Sequence, residues 1–197
     1  MAFEAKTDKR VAALIAPGLE EVEALAVVDV LYRAGIPCDM IAVAEERTVV
    51  SSHEITLTCA KTLAETDLDD YDLLFLPGGI PGAPNLKASR VVTEAVTERV
   101  RAGRPVAAIC AAPSILAELG LLEGRRATSN PGFMHVLEEH GAITSQDSVV
   151  VDGAILTSRG MATAAELGFE IVRHYLGDAA VEAVASAVVS AADVSRG

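Results

Sequence analysis

The sequence predicts an α/β protein, with a mostly parallel sheet covered on both faces by helices. Three observations carry that expectation. Residues 10–16, 72–76 and 105–109 are short, unbroken apolar runs, the pattern of strands buried on both faces. Stretches with apolar residues at helical spacing alternate with them, which calls for crossover connections and parallel pairing. Finally, 197 residues, about half of them apolar, suit one domain with a substantial core.

Residues 10–16 (RVAALIA) form the first strand, punctuated by Pro17 and Gly18. A helix follows from Glu20 to about Arg33, with Glu20 and Glu21 at its electropositive end and Gly35 as its stop. Residues 37–43 are a second strand, and residues 48–51 and 54–58 alternate like a small hairpin. Residues 72–76 (DLLFL) end in Pro77-Gly78-Gly79. Residues 89–102 read as a helix that lines up Val92, Ala95, Val96 and Val100 on one face. Residues 105–109 (PVAAI) form a strand that leads into a helix over 111–119, stopped by Gly120. A short helix over 132–140 comes next. Residues 149–151 and 154–157 then flank an Asp152-Gly153 turn, the strongest hairpin signal in the chain. Ala164, Leu167, Ile171 and Tyr175 step at helical spacing, and residues 179–192 make a terminal helix. No Gly/Ser or Pro linker divides the chain, so one domain is expected over 1–197, with its core at about 10–176.

Acidic residues outnumber basic ones by 28 to 16, giving a formal charge of −12, which repels polyphosphate and argues against a nucleic-acid partner. No run of about 18 apolar residues exists to span a bilayer, and no secretory segment opens the chain. Cys38, Cys59 and Cys110 are odd in number and form no CxxC pair, so neither a disulfide framework nor a zinc site is expected. No metal or organic cofactor is implied, and the cytoplasm is the expected compartment.

In folds of this kind ligands gather beyond the carboxyl ends of the strands. Three segments fall there: residues 17–23, 77–82 and 109–113. The last delivers Cys110 from an apolar strand into a turn, with the small Ala111 and Ala112 leading into a helix. This is the logic of a nucleophile elbow, with Cys in place of Ser, and a helix N-terminus favours a thiolate. A free Cys in this position is equally compatible with packing in the core. Gly78-Gly79 lets the backbone approach a ligand, and the N–H groups of Gly79 and Ala111 are the candidate donors of an oxyanion hole facing Cys110, although an ordinary Gly-rich turn reads the same way. Of Glu20, Glu21 and Glu23, the first and last share a helix face, and either can turn toward the strand ends to act as a proton donor. Cys38 and Cys59 have no comparable setting.

Four segments in order, PGLEEVE (17–23), LPGGIPGAPNL (76–86), AICAAP (108–113) and LTSRG (156–160), resemble the ThiJ/PfpI family of the class I glutamine amidotransferase-like superfamily. The nearest group is that of the parkinsonism-associated deglycase. The resemblance covers about residues 10–176. It implies a flavodoxin-like three-layer sandwich with a strand–Cys–helix nucleophile elbow, and commonly a homodimer. It maps the reactive cysteine onto Cys110, the protonated carboxyl onto Glu23 and the oxyanion donors onto Gly79 and Ala111. Gly78 and Arg159 fall in the matching motifs, and Arg33 matches an arginine near the dimer interface and the site. Three departures stand out. Asn130 occupies the place of a histidine base, His53 that of a frequent arginine, and Met161-Ala162 that of a Pro-Gly pair. Asn130 cannot act as a base, and general acid–base help is worth about 100- to 10,000-fold. His53 and His135 are the candidate substitutes. The functional expectation is a glutathione-independent glyoxalase or deglycase-like enzyme that attacks a small aldehyde or glycated substrate through Cys110. The alternatives are a redox-responsive stress protein, with Cys110 oxidised to the sulfinate, and a holdase chaperone.

Overall fold

A computed structural model describes residues 3–189. In chain order its elements are β1 Val11–Ile15, α1 Glu21–Ala34, β2 Cys38–Ala42, β3 Thr48–Val50, β4 Thr56–Thr58, β5 Lys61–Thr62 and β6 Leu73–Leu76. They continue with α2 Gly82–Ala88, α3 Arg90–Arg101, β7 Val106–Ile109, α4 Pro113–Glu118, β8 Arg126–Ala127, α5 Met134–Glu139 and β9 Ile143–Thr144. The last are β10 Val149–Asp152, β11 Ile155–Ser158, α6 Ala164–Leu176 and α7 Asp178–Ala187.

The central sheet runs β10-β11-β7-β6-β1-β2-β5, and every neighbour pair is parallel except β10 with β11. Successive side chains of a strand point to opposite faces, and the apolar runs serve both. Val11, Ala13 and Ile15 face a layer made by α1, α6 and α7, where they meet Val27, Leu31, Leu167, Ile171 and Val184. Ala12, Leu14 and Ala16 face the opposite layer, with Leu86 of α2, Val92 and Val96 of α3, Leu116 of α4 and Leu137 of α5. This is the expected flavodoxin-like sandwich. The α1 and α6 helices approach closely because position 168 is glycine. A methyl group there would lie 2.9 Å from Val30 Cβ.

Strand order reverses at β1. The chain first adds β2 and β5 on one side, then returns to lay β6, β7 and β11 on the other. A crevice opens where such a reversal occurs, at the carboxyl ends of the strands. The segments after β1, β6 and β7 meet there.

Several expectations need correction. The helix after β7 begins at Pro113 rather than at 111, since Pro favours the first helical position, and Ala111 and Ala112 remain in the turn. The hairpin residue Asp152 pairs with Ile155, so Gly153 and Ala154 form the two-residue turn. The segment 132–140 splits into a 3₁₀ turn, Pro131–Phe133, and the short α5. Strand β5, helix α2 and the β8–β9 pair are additions. The terminal helix is present as α7, and residues 190–192 of that expectation lie outside the described residues. Among the described residues no helix is long and apolar enough to cross a membrane.

Candidate active site

Cys110 sits between β7 and α4 with φ 63°, a left-handed conformation that a residue with a side chain adopts only under constraint. Two backbone hydrogen bonds impose it. Cys110 N–H donates to Ser158 O at 2.9 Å, and Cys110 O accepts from Asn130 N–H at 2.9 Å. The turn is thus pinned to the ends of β11 and of the 128–130 segment, which holds the thiol at the rim of the sheet, half-buried.

Glu23 comes from the first turn of α1 and is 1% exposed. Glu20 is the N-cap, its carboxylate accepting from Val22 N–H at 3.1 Å. The helix therefore starts so that Glu23 faces inward and Glu20 stays at the rim. Glu23 Oε2 accepts from Gly78 N–H at 3.0 Å, and the carboxyl faces Cys110 across Gly78, close enough for each group to shift the ionisation of the other. Gly78 is required at this contact. A methyl group on it would lie 2.6 Å from Cys110 Cβ and 2.6 Å from Glu23 Oε2. Gly79 follows with φ 92°, and its N–H and that of Ala111 lie on the Cys110 side of the site, where they favour the charged form of the sulfur.

Burial governs the electrostatics. It pushes the Glu23 carboxyl up to about 7, assisted by the charge of Glu20, while hydrogen bonds from Cys110 and Gly78 act the other way. Burial, followed by the charge and hydrogen bonding of Glu23, pushes the Cys110 thiol up to about 12, against the two backbone N–H donors. This corrects the expectation that the adjacent helix end ionises the thiol. The α4 helix has only six residues, and burial, with the charge of the carboxylate behind it, outweighs it. In the interval between those two values the pair holds one proton, shared by carboxyl and sulfur. With that proton on Glu23, the repulsion disappears and the carboxyl donates to a thiolate instead.

The remaining expected residues divide. Asn130 lies beside the pair: a methyl group on Gly160 would sit 3.7 Å from Asn130 Nδ2 and 3.8 Å from Glu23 Oε1. His53, in the β3–β4 turn, contacts the rim and not the sulfur. Its Nδ1 is 3.0 Å from Glu21 Oε1 and 3.5 Å from Glu20 Oε2. Glu21 raises the imidazole above its ordinary value by hydrogen bond and charge. Burial opposes ionisation of Glu21, yet hydrogen bonds from its own N–H, His53 and Ser51 hold it below the usual range. Glu20, Glu21 and His53 form the one group among the described residues that gathers three metal-type donors within 4.8 Å. Arg159 turns away, its Nη1 donating to Gln146 O at 3.2 Å. Arg33 does not reach the site within the chain. It stands ten residues beyond Glu23 on α1, about 15 Å along the axis, paired with Asp29 at 2.7 Å. His135 is exposed on α5. Sequence reasoning passed over Gly160 as a wall of the site and Ser158 as the acceptor that fixes the elbow, although both lie in a quoted motif.

Comparison with known proteins places the chain in a family. The DJ-1/PfpI family model matches residues 9–174. The chain belongs to the DJ-1/PfpI family. It is 33% identical over 178 residues to protein dj-1beta of Drosophila melanogaster, a match covering 90% of this chain and 95% of that protein. Protein DJ-1 homolog B of Arabidopsis thaliana is 36% identical over 164 residues, covering 83% of this chain but 37% of that longer protein. Among solved structures, Drosophila DJ-1beta superposes with a TM-score of 0.89 at 33% identity, covering 94% of this chain and all of that one. Oxidized DJ-1 of Toxoplasma gondii gives 0.87 at 28% identity, covering 93% of this chain and 99% of that one.

Proposed function

We propose that this family member is a cysteine-dependent, glutathione-independent enzyme acting on small reactive carbonyls, glyoxalase- or deglycase-like in its chemistry. The observation that carries the reading is the buried carboxyl–thiol contact of Glu23 and Cys110 beneath two backbone N–H groups. The Cys110 sulfur adds to the aldehyde carbon, and the carbonyl π pair moves to oxygen. Gly79 and Ala111 N–H groups hold that oxygen, and Glu23 delivers the proton that completes the hemithioacetal. For methylglyoxal, the carboxylate left behind removes the proton from C1, and reprotonation at C2 gives a lactoyl thioester. Water then releases lactate and restores the thiol. No redox partner enters, since C1 is oxidised as C2 is reduced.

The working unit is a homodimer in the cytoplasm, formed around the outward face of α1. Val22, Leu25 and Tyr32 expose large apolar surface on that face, with Val50 and Ile55 exposed on the neighbouring hairpin, and Arg33 lies at its end. Lactate formation from methylglyoxal tests the enzyme reading. Wild type should turn over and Cys110→Ser should not, whereas equal or absent turnover in both rejects it.

A redox-responsive role is the second reading. A sulfinate on Cys110 would find a carboxyl donor and two N–H donors already in place, and a relative at 28% identity has been solved as oxidized DJ-1. After mild peroxide, mass spectrometry should find two added oxygens on Cys110 and none on Cys38 or Cys59. Uniform oxidation of all three counts against it.

A further inference from the structure

We propose that the side-chain amide of Asn130 is the specificity contact of this site. Its Nδ2 hydrogens donate to an oxygen on the carbon next to the one Cys110 attacks, so that 1,2-dicarbonyls are selected over simple aldehydes. The inference rests on the carbonyl reading and adds the feature that separates one carbonyl class from another.

Asn130 is fixed at every polar atom except one. Its N–H donates to Cys110 O at 2.9 Å, which ties it to the elbow itself. Its carbonyl oxygen accepts from Phe133 N–H at 2.8 Å and from Ser129 Oγ at 3.1 Å. Its Oδ1 accepts from Gly132 N–H at 3.0 Å. Because that bond needs an acceptor, it settles which end of the amide is oxygen and which is nitrogen. The NH₂ end has no partner in the described chain. It faces the hollow beside Gly160, where one point lies within 3.8 Å of both Nδ2 and Glu23 Oε1. An open donor and a proton-carrying carboxyl thus look into the same small space next to the sulfur.

The chemistry of a 1,2-dicarbonyl matches that pair. Addition of sulfur at C1 places the new hydroxyl oxygen at C1 against the backbone N–H groups and Glu23. The C2 carbon is one bond away, its carbonyl oxygen remains an acceptor, and a neutral amide donor answers it. When the proton leaves C1, negative charge moves onto that same C2 oxygen, which strengthens the contact as the enediol forms. A histidine here could also move a proton. Asn130 has none to give and no basic site, and it stays neutral at every working pH, so its contribution is hydrogen bonding alone and proton transfer falls to Glu23. A simple aldehyde such as propanal offers nothing at C2 for Nδ2 to hold.

The test uses equilibrium protection of Cys110, so it needs no turnover. Alkylation of Cys110 by iodoacetamide is measured with increasing methylglyoxal or propanal, giving a dissociation constant for each hemithioacetal. The ratio of the two constants is compared between wild type, Asn130→Asp and Asn130→Ala. Intrinsic electrophilicity and any change in thiol reactivity cancel in that comparison. Asn130→Asp keeps the acceptor that caps Gly132 N–H and replaces only the donor end, so it isolates the proposed contact from the loop. The preference for methylglyoxal should fall by about tenfold in both variants, the value of one hydrogen bond. Protection with an unchanged ratio in both variants overturns the role of Asn130 and leaves the carbonyl reading standing. Failure of methylglyoxal to protect wild type overturns both.

Discussion

Replacing Glu23 by Gln tests the burial of that carboxyl through the stability of the fold. In the unfolded chain Glu23 ionises at its ordinary 4.5, and in the folded protein at about 7. Between those values the unfolded state has lost its proton while the folded state retains it. The folded form is therefore favoured fully below 4.5, and the advantage is lost as pH rises through 7. A shift of that size corresponds to about 3 kcal/mol, at about 1.4 kcal/mol per pKa unit. Gln occupies the same volume, can accept from Gly78 N–H through its oxygen, and carries no titrating group. Urea unfolding of both proteins at pH 5 and pH 8 measures the effect. Wild type should lose about 2.5 kcal/mol relative to Glu23→Gln between those conditions, since part of the shift is already spent at pH 5, making the variant the relatively stronger fold at pH 8. A wild-type-to-variant difference that does not change with pH refutes the claim that the carboxyl is held in a charge-averse pocket.

Two further outcomes follow from the same geometry. Gly78→Ala places a methyl group against Cys110 Cβ and Glu23 Oε2, both at 2.6 Å. It should cost about 1–3 kcal/mol in urea unfolding, the usual range for overpacking, and it should slow Cys110 alkylation by forcing the pair apart; wild-type values for both measurements count against the contact. His53 should titrate above its ordinary 6.5 in an NMR pH series because of Glu21, and return toward that value in Glu21→Gln. Its ion pair then favours the fold below 6.5, an advantage lost as pH rises through the higher folded value, and an unshifted titration removes the pairing.

Much of the fold was legible because buried strands have no polar face to hide. The runs at β1, β6 and β7 could be read directly, and Gly35, with φ 80°, ended α1 where a left-handed cap was expected. The elements that went unseen lack such signals. Strand β5 has two residues, too few for any period. Helix α2 lies among Pro81, Gly82 and Pro84, residues that punctuate loops, and its Pro84 is tolerated because the first turn of a helix needs no donor. The β8–β9 pair joins segments far apart in sequence, so neither strand announces its partner.

At the site, the strand–Cys–turn pattern alone pointed to Cys110, but helical spacing left Glu20 and Glu23 equivalent. The structure separates them through the N-cap: once Glu20 bonds to Val22 N–H, Glu23 is the residue turned toward Gly78. The sign of the thiol shift was not legible at all. It depends on a carboxylate 87 positions away in the chain, brought into contact only by the meeting of α1 with the turn after β7.

The central claim is that Cys110 and Glu23 share one proton, so that the sulfur's reactivity belongs to the pair. The rate of Cys110 alkylation across pH, in wild type and in Glu23→Gln, measures this directly. Wild type should show a first rise in reactivity near 7, where the pair gives up its first proton and the form with the remaining proton on Glu23 carries a thiolate, and a second rise toward 12. In Glu23→Gln the step near 7 should vanish, leaving one midpoint that burial holds above the 9.0 of an ordinary thiol. A wild-type profile with no step near 7, or profiles that coincide in the two proteins, would contradict the account.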